Sequence, residues 1–364
     1  MNYPLVVRNL IGFHIRSFQT LIYLLRKLNL HSNFPDIFSQ VLRINFTCED
    51  NLKVINCCVY GQNGQFRLAA RVTNSSVAPK CDLFGNLMSI PNEQPMSGVI
   101  DAAIEVESNT NAEWIWKPLE SISLEDPRVF FDNGTKYFVC TQLQTDDEKR
   151  FYSSMMILSS STNNLLPLLI DNPRRFEKNW VPFKAFSGKF VLLYRSIPFT
   201  LLTFSAESNH KKATVSILDN KHALDYNGGT NFVELPNGNF LRIARFRYRF
   251  WKFGLIHLNY ALLYDCNLKL LKESSPFIFR GLGFETCNGA WIEDSHLILS
   301  WTEDDKHSFI GKIEIENFLI WQFDTKHRKE KFLQKFKLLV KLTSGFKLSL
   351  GAEQQARVRV PKGL

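Results

Sequence analysis

The sequence predicts an all-β chain, a five-bladed β-propeller with N- and C-terminal helical extensions. Three observations point there. Between about residue 45 and residue 320 no helical period is sustained, and short Val, Ile, Phe, Leu and Tyr runs are broken by turn dipeptides. A turn and the strand after it then recur five times: Asn63-Gly64 with QFRLAARV, Asn133-Gly134 with TKYFVCTQ, Ser187-Gly188 with KFVLLYRS, Asn237-Gly238 with NFLRIARF, and Asp294-Ser295 with HLILSWTE. The turns are spaced by 70, 54, 50 and 57 residues, close to the roughly 40 to 50 of a four-stranded blade plus insertions. Asn-Gly supplies the positive φ angles of a tight hairpin, which gives that dipeptide its weight.

The elements follow in chain order. In residues 1–44, Ile11, Ile15, Phe18, Ile22 and Leu25 form one stripe of an amphipathic helix. Arg16, Gln19 and Arg26 interrupt the stretch, and no A-x-A-like cleavage site follows, so it reads as neither a secretory signal nor a membrane span. Residues 45–320 carry the propeller. In the last four units a polar and aromatic segment precedes the hairpin: LEDPRVF (124–130), FEKNWVPF (176–183), YNGGTNFVEL (226–235) and FETCNGAWI (284–292). With the hairpin taken to join a blade's second and third strands, these segments are its inner strands, and Asp126, Lys178, Asn231 and Glu285 converge on the axis. Residues 321–364 form a tail in which Lys331, Lys335, Lys337 and Lys341 intersperse with Phe332, Phe336, Leu339 and Val340 as a basic amphipathic helix. That helix either docks on the propeller or meets an anionic membrane.

Composition bounds the partners. Hydrophobic residues make up 45% of the 364, with 31 Phe, which excludes a disordered chain. The net charge of +9 sits in the tail: residues 326–364 hold 11 Lys and Arg against 2 Asp and Glu, and the body is neutral. No nucleic-acid partner is expected. The seven cysteines are odd in number and form no C-x-x-C, which reads as reduced, mostly buried thiols. Sequons at Asn45, Asn74 and Asn133 stand without a leader, so the expected compartment is the cytoplasm, peripheral to a membrane if the tail binds one. The acidic run Glu303, Asp304, Asp305 lacks a second ligand cluster, so no metal is expected, and Gly281-Leu282-Gly283 lacks the strand-turn-helix setting of a dinucleotide site. No cofactor is expected. Trp180, Trp291 and Trp301 can stack on sugar rings, although large aromatics at β positions are more often core.

Over about residues 45–318 the chain resembles glycoside hydrolase family 130, five-bladed propellers that include β-mannoside phosphorylases and hydrolases, and the related mannosyltransferase/phosphorylases. The most specific piece is Glu125-Asp126-Pro127-Arg128, since in that family the Asp of an E-D-P-R motif is the general acid. FEKNWVPF followed by GKFVLLYRSIP is similar to its Lys-containing strand and later Arg, which implies that Lys178, with Asn179 beside it, and Arg195 hold phosphate or sugar. YNGGT resembles its Gly-Gly strand start, with Asn231 next to it. FETCNGAW and LILSWTEDD resemble its Glu-containing and Tyr-Gly-x-x-Asp strands, which implies sugar-binding roles for Glu285 and Asp305. Two departures stand out: Trp301-Thr302 replaces an aromatic-Gly pair, and Arg245 stands where a His is frequent.

The chemistry expected is inverting glycosyl transfer, in glycan biosynthesis or processing, with Asp126 protonating the leaving oxygen as oxocarbenium character builds at the anomeric carbon. Inverting hydrolysis also needs a base, for which Glu285 is the candidate; a phosphorylase or transferase replaces that base with a reactive co-substrate. Arg128, Lys178, Arg195 and Arg245 offer the cationic surface that phosphate or a nucleotide sugar needs. The competing class is a non-catalytic glycan- or protein-binding propeller.

Overall fold

A computed structural model describes residues 37–47, 53–62, 64–73, 97–104, 110–116, 123–132, 134–145, 151–162, 164–186, 189–205, 211–250, 254–279, 285–303, 305–324 and 354–359. The N-terminal stripe at residues 11–25 and the basic stretch at 331–341 lie outside them.

The first strand, β1 (Gln40–Thr47), waits for the end of the chain. Blade 1 is β2 (Lys53–Gln62), β3 (Gln65–Thr73), β4 (Ser97–Ala103) and β5 (Thr110–Trp116). Blade 2 is β6 (Ser123–Asp132), β7 (Thr135–Thr145), β8 (Phe151–Ser159) and β9 (Leu165–Leu169). Blade 3 is β10 (Val181–Phe186), β11 (Lys189–Arg195), β12 (Phe199–Ser205) and β14 (Thr214–Leu218), with β13 (Lys211–Lys212) reaching back to pair with β9. Blade 4 is β15 (Val233–Glu234), β16 (Phe240–Phe250), β17 (Gly254–Tyr264) and β18 (Leu270–Glu273). Blade 5 takes β19 (Glu285–Glu293), β20 (His296–Glu303) and β21 (His307–Glu314) from the end of the propeller, and its fourth strand is β1, antiparallel to β21 from Gln40↔Lys312 to Ile44↔Ser308. The strand therefore begins inside the stretch assigned to the N-terminal extension. A helix, α1 (Ile315–Phe323), follows and buries Ile315, Phe318 and Trp321, straddling the expected boundary at 320. The last strand, β22 (Gln354–Arg359), runs parallel to both β1 and β5 and links blades 5 and 1 into one nine-stranded sheet.

The hairpin assignment needs correction. Each of the five repeated turns joins the first and second strands of a blade, as β2 to β3 and β6 to β7, and not the second and third. The strand before each turn is still the innermost, because it ends its sheet and lies against its counterparts from neighbouring blades. The turn residues explain the position: Gly64, Gly134 and Gly238 hold φ of +72°, +77° and +79°, and Asp294 takes +52° in the last unit.

Apolar residues on the two faces of each sheet close the ring, with one cluster for each pair of adjacent blades. Tyr60, Leu124 and Phe138 fill the 1–2 junction, Val139, Trp180 and Phe204 the 2–3 junction, and Phe199, Tyr226 and Tyr264 the 3–4 junction. Ile243, Phe279 and Trp301 fill 4–5, and Val59, Leu68 and Ile298 fill 5–1. Trp180 and Trp301 are each 1% exposed, so they are core and offer no face to a sugar. At 5–1 the backbones touch: a Cβ on Gly289 would stand 2.2 Å from Val59 N, so only glycine fits. Cys57, Cys58, Cys140 and Cys287 are buried free thiols, and burial pushes Cys57 up to about 12 and Cys58 up to about 11, where they stay protonated. Among the described residues no helix is long and apolar enough to cross a membrane.

Candidate active site

The site is built where the inner strands break their own ladders. In β6, Glu125 pairs with Thr141 and Arg128 with Val139, which leaves Asp126 and Pro127 as a bulge; proline has no N–H to give the ladder. In β2, Asn56 and Cys57 form the same bulge between Ile55↔Arg71 and Cys58↔Ala69. The bulged Asn56 and Asp126 take φ of +53° and +52°, which aims their side chains at each other, and Asn56 Nδ2 donates to Asp126 Oδ1 at 2.6 Å. Asn179 (+65°) just before β10, and Asp305 (+49°) in the turn after β20, complete a set of four among the seven described non-glycine residues with positive φ. Backbone strain of about 1 kcal/mol or more per residue is thus concentrated at one end of the axis. Blade 4 brings Gly228 (+57°) and Gly229 (+108°) to the same place. A Cβ on Gly228 would stand 2.9 Å from Asn179 Cβ and 3.1 Å from Arg128 Nη2.

Charged side chains surround these positions. Arg71 Nη2 lies 2.7 Å from Glu125 Oε1, and its Nη1 lies 3.9 Å from Asp126 Oδ1. Lys178 Nζ reaches Glu125 Oε2 at 3.1 Å, from blade 3 to blade 2. Arg128 is buried and donates Nε to the Gly229 carbonyl at 3.2 Å, while buried Arg242 donates to the Gly228 carbonyl, so two guanidiniums hold successive carbonyls of the double glycine. Arg245 spans three blades, with Nη1 on Thr286 Oγ1 at 2.9 Å and Nη2 on Asn179 Oδ1 at 3.2 Å. Among the described residues, the buried Arg128 Nη2 and Arg245 Nε find no hydrogen-bond partner.

The two aspartates are driven apart. Burial alone would raise Asp126, but Arg71, Lys178 and Arg128, with the Asn56 amide, outweigh it and hold the carboxyl below its ordinary range. Asp305 is pushed up to about 6 by burial and by Asp126, which Arg71 and Arg245 oppose without cancelling. Burial and the facing Arg247 and Arg128 lower Arg245 to about 9. His257, lowered to about 2 by burial, Arg245 and Arg247, is neutral and pairs its Nδ1 with the Glu285 carbonyl at 3.0 Å.

Of the residues expected to bind or react, the structure brings together Glu125, Asp126, Arg128, Lys178, Asn179, Arg245 and Asp305. Three are placed otherwise. Asn231 ties blade 4 to blade 5 through Ala290 N at 3.1 Å, and Glu285 accepts the Phe279 N–H at 2.7 Å. Arg195 lies over its neighbour Tyr194, with 4.9 Å to the ring centre. Asn56, Arg71, Arg242 and Arg247 were missed, while the Gly228–Gly229 pair is the Gly-Gly of YNGGT. A signal for the first existed: Asn56 stands eight residues before Gly64, as Asp126 stands eight before Gly134. Among the described residues no group of three or more His, Cys, Asp or Glu is placed to hold a metal.

No family model and no curated protein matches this sequence. Solved structures do match its shape. MPT-4, a mannose phosphorylase from Leishmania mexicana in complex with phosphate ion, is 14% identical, with a TM-score of 0.52 over 78% of this chain and 90% of that one. A β-1,2-mannobiose phosphorylase from Listeria innocua is 15% identical, at 0.51 over 75% and 93%. A structure from the GH130 family of mannoside phosphorylases, reported with glycoside hydrolases that target β-1,2 mannosidic linkages, is 10% identical, at 0.53 over 79% and 97%. The chain has the fold of these propellers. At such identities the likeness is one of fold, and chemistry has to be argued from the ring itself.

Proposed function

We propose that this chain is a carbohydrate-active enzyme of the β-mannoside phosphorylase or mannosyltransferase type, transferring a glycosyl group with inversion. The observation that carries the reading is the composition of the axial ring: one carboxylate on a strained bulge, facing more cations than acids, with buried guanidinium N–H groups unclaimed. Among the described residues five cations (Arg71, Arg128, Lys178, Arg245, Arg247) face three carboxylates (Glu125, Asp126, Asp305), a formal surplus of two positive charges. Such a surplus matches a phosphate dianion or a nucleotide diphosphate, which arginine binds through paired N–H donors.

In this reading Asp126 protonates the leaving oxygen while a phosphate oxygen attacks the anomeric carbon from the opposite face. Lys178, Arg128 and Arg71 hold the anion, and Asn56 fixes the Asp126 carboxyl. Asp305 and Asn179, both half-buried beside the cations, are the groups left to meet a sugar's hydroxyls. Hydrolysis needs a second carboxylate as base, and the candidate for it, Glu285, already has one oxygen on a backbone N–H. The phosphorylases among the solved propellers of this fold support the reading by analogy. Incubation of the purified chain with β-mannosides and inorganic phosphate, or with GDP-mannose, tests it by mass: a sugar 1-phosphate or an extended glycan is expected, and release of free sugar alone would replace transfer by hydrolysis.

A further inference from the structure

A proton donor must carry a proton, yet the groups around Asp126 favour its ionised form. Those that favour it are Asn56 on β2, Arg71 on β3, Arg128 on β6, Lys178 before β10, and Arg245 and Arg247 on β16, and they outweigh Glu125 on β6, Cys140 on β7 and Asp305 after β20, which face the same carboxyl and oppose its charge. The same cations are the ones a dianion would neutralise. Filling the two-charge surplus removes the attraction that keeps Asp126 ionised and sets a negative charge beside it.

We propose that a phosphate dianion entering this ring brings a proton onto Asp126, so that the acid is armed only while the co-substrate is in place. The inference rests on the phosphorolytic reading and adds its control. With HPO4²⁻ bound, the phosphate oxygen forms its bond to the anomeric carbon. The carbon–oxygen bond breaks with its electron pair on the leaving oxygen, and that oxygen takes the Asp126 proton. Asp126 ends ionised, and the sugar monohydrogen phosphate carries the remaining proton. With water in place of phosphate the ring keeps its surplus, Asp126 stays ionised and the glycosidic oxygen has no donor. The device thus suppresses wasteful hydrolysis without a lid.

Calorimetry on the full chain at about pH 6, in buffers of different ionisation heat, tests this with inorganic sulfate, a dianion that has no proton of its own near neutrality, and with inorganic phosphate. Sulfate is expected to bind with uptake of about one proton. Asp126→Asn, whose amide keeps the shape and tolerates the positive φ, should bind sulfate at least as tightly with most of the uptake gone, and Asp305→Asn should retain most of it. Uptake that persists in Asp126→Asn, or that vanishes in Asp305→Asn, overturns the inference. So does sulfate binding without uptake, or phosphate binding where sulfate does not, which would put the proton on the anion. Failure of both anions to bind would instead overturn the phosphate reading itself.

Discussion

Two ionic clusters in this molecule can be set side by side. At the hairpin end of blades 1 and 2, Asp101, itself 1% exposed, accepts the Tyr60 hydroxyl at 2.5 Å and Arg67 Nε at 3.1 Å, and pairs with Lys136, whose Nζ also reaches the Tyr60 oxygen at 3.1 Å. Burial and Asp101 raise the Tyr60 hydroxyl far above its ordinary value, so it remains a donor. Each group there finds its partners within the cluster. At the other end of the inner strands, guanidinium N–H groups of Arg128 and Arg245 stay unclaimed and cations outnumber acids. A buried cluster that closes on itself can only hold blades together, whereas one with unfilled donors and strained backbone is stabilised by what it binds.

Four substitutions sharpen or break that contrast. The largest effect is expected for Asp126→Asn, which should slow glycosyl transfer by about 10² to 10⁴ by removing the transferable proton, with a smaller loss of thermal stability near neutrality because the carboxylate paired with Arg71, Lys178 and Arg128 is lost. Full activity in this variant would remove Asp126 from acid catalysis. Asp101→Ala should do the reverse, costing about 3 kcal/mol in urea unfolding by leaving Lys136 and Arg67 uncompensated, while phosphate affinity holds. A fall in affinity there would merge the two clusters. Lys178→Ala should weaken phosphate about tenfold through one charge-assisted hydrogen bond, with little change in stability, since that lysine is a third exposed. Asp305→Asn is the smallest. A carboxyl raised to about 6 in the folded chain opposes folding once ionised; this cost is absent below about pH 4, where the acid is protonated in both states, grows through pH 4 to 6 and is full above that. The Asn variant should therefore be more stable by about 1 kcal/mol at pH 7, discounted for partial exposure, and equal to the parent at pH 4.

The blades were legible because five turns repeat a local conformation that only a few residue types adopt, and Gly64, Gly134 and Gly238 sit at those φ values. Asp126 was singled out through the E-D-P-R resemblance, whereas its bulge, which follows from a Pro127 without an N–H for the ladder, was not read from the sequence. The cations were harder to see, because an arginine on a strand says nothing of which blade it faces. Arg71, Arg195 and Arg245 all stand seven residues after a turn glycine, on the second strand of blades 1, 3 and 4, so a comparison of the units with one another would have aligned them. That register still would not have separated Arg195, which turns onto Tyr194, from Arg71, which turns onto two carboxylates. Glu285 and Asn231 show the same limit on an inner-strand segment, where each hydrogen-bonds to backbone, which the sequence could not reveal.

The pairing of β1 with β21 sets a timetable for the ribosome. Ile44 and its partner Ser308 are 264 residues apart, so β1 leaves the exit tunnel on the order of 15 to 50 s before the strand that will cover its edge. Throughout that interval an apolar strand with Leu42 and Ile44 offers free N–H and C=O groups to any other nascent chain. The ring closes only when synthesis reaches its last blade, and β22, which lies on the other edge of β1, comes later still, so folding is governed by contacts between the two ends of the chain. Circular permutation that starts the chain at Lys53 and joins residue 364 to residue 1 would shorten that separation from 264 to 100 residues, and refolding should accelerate while the finished ring stays the same.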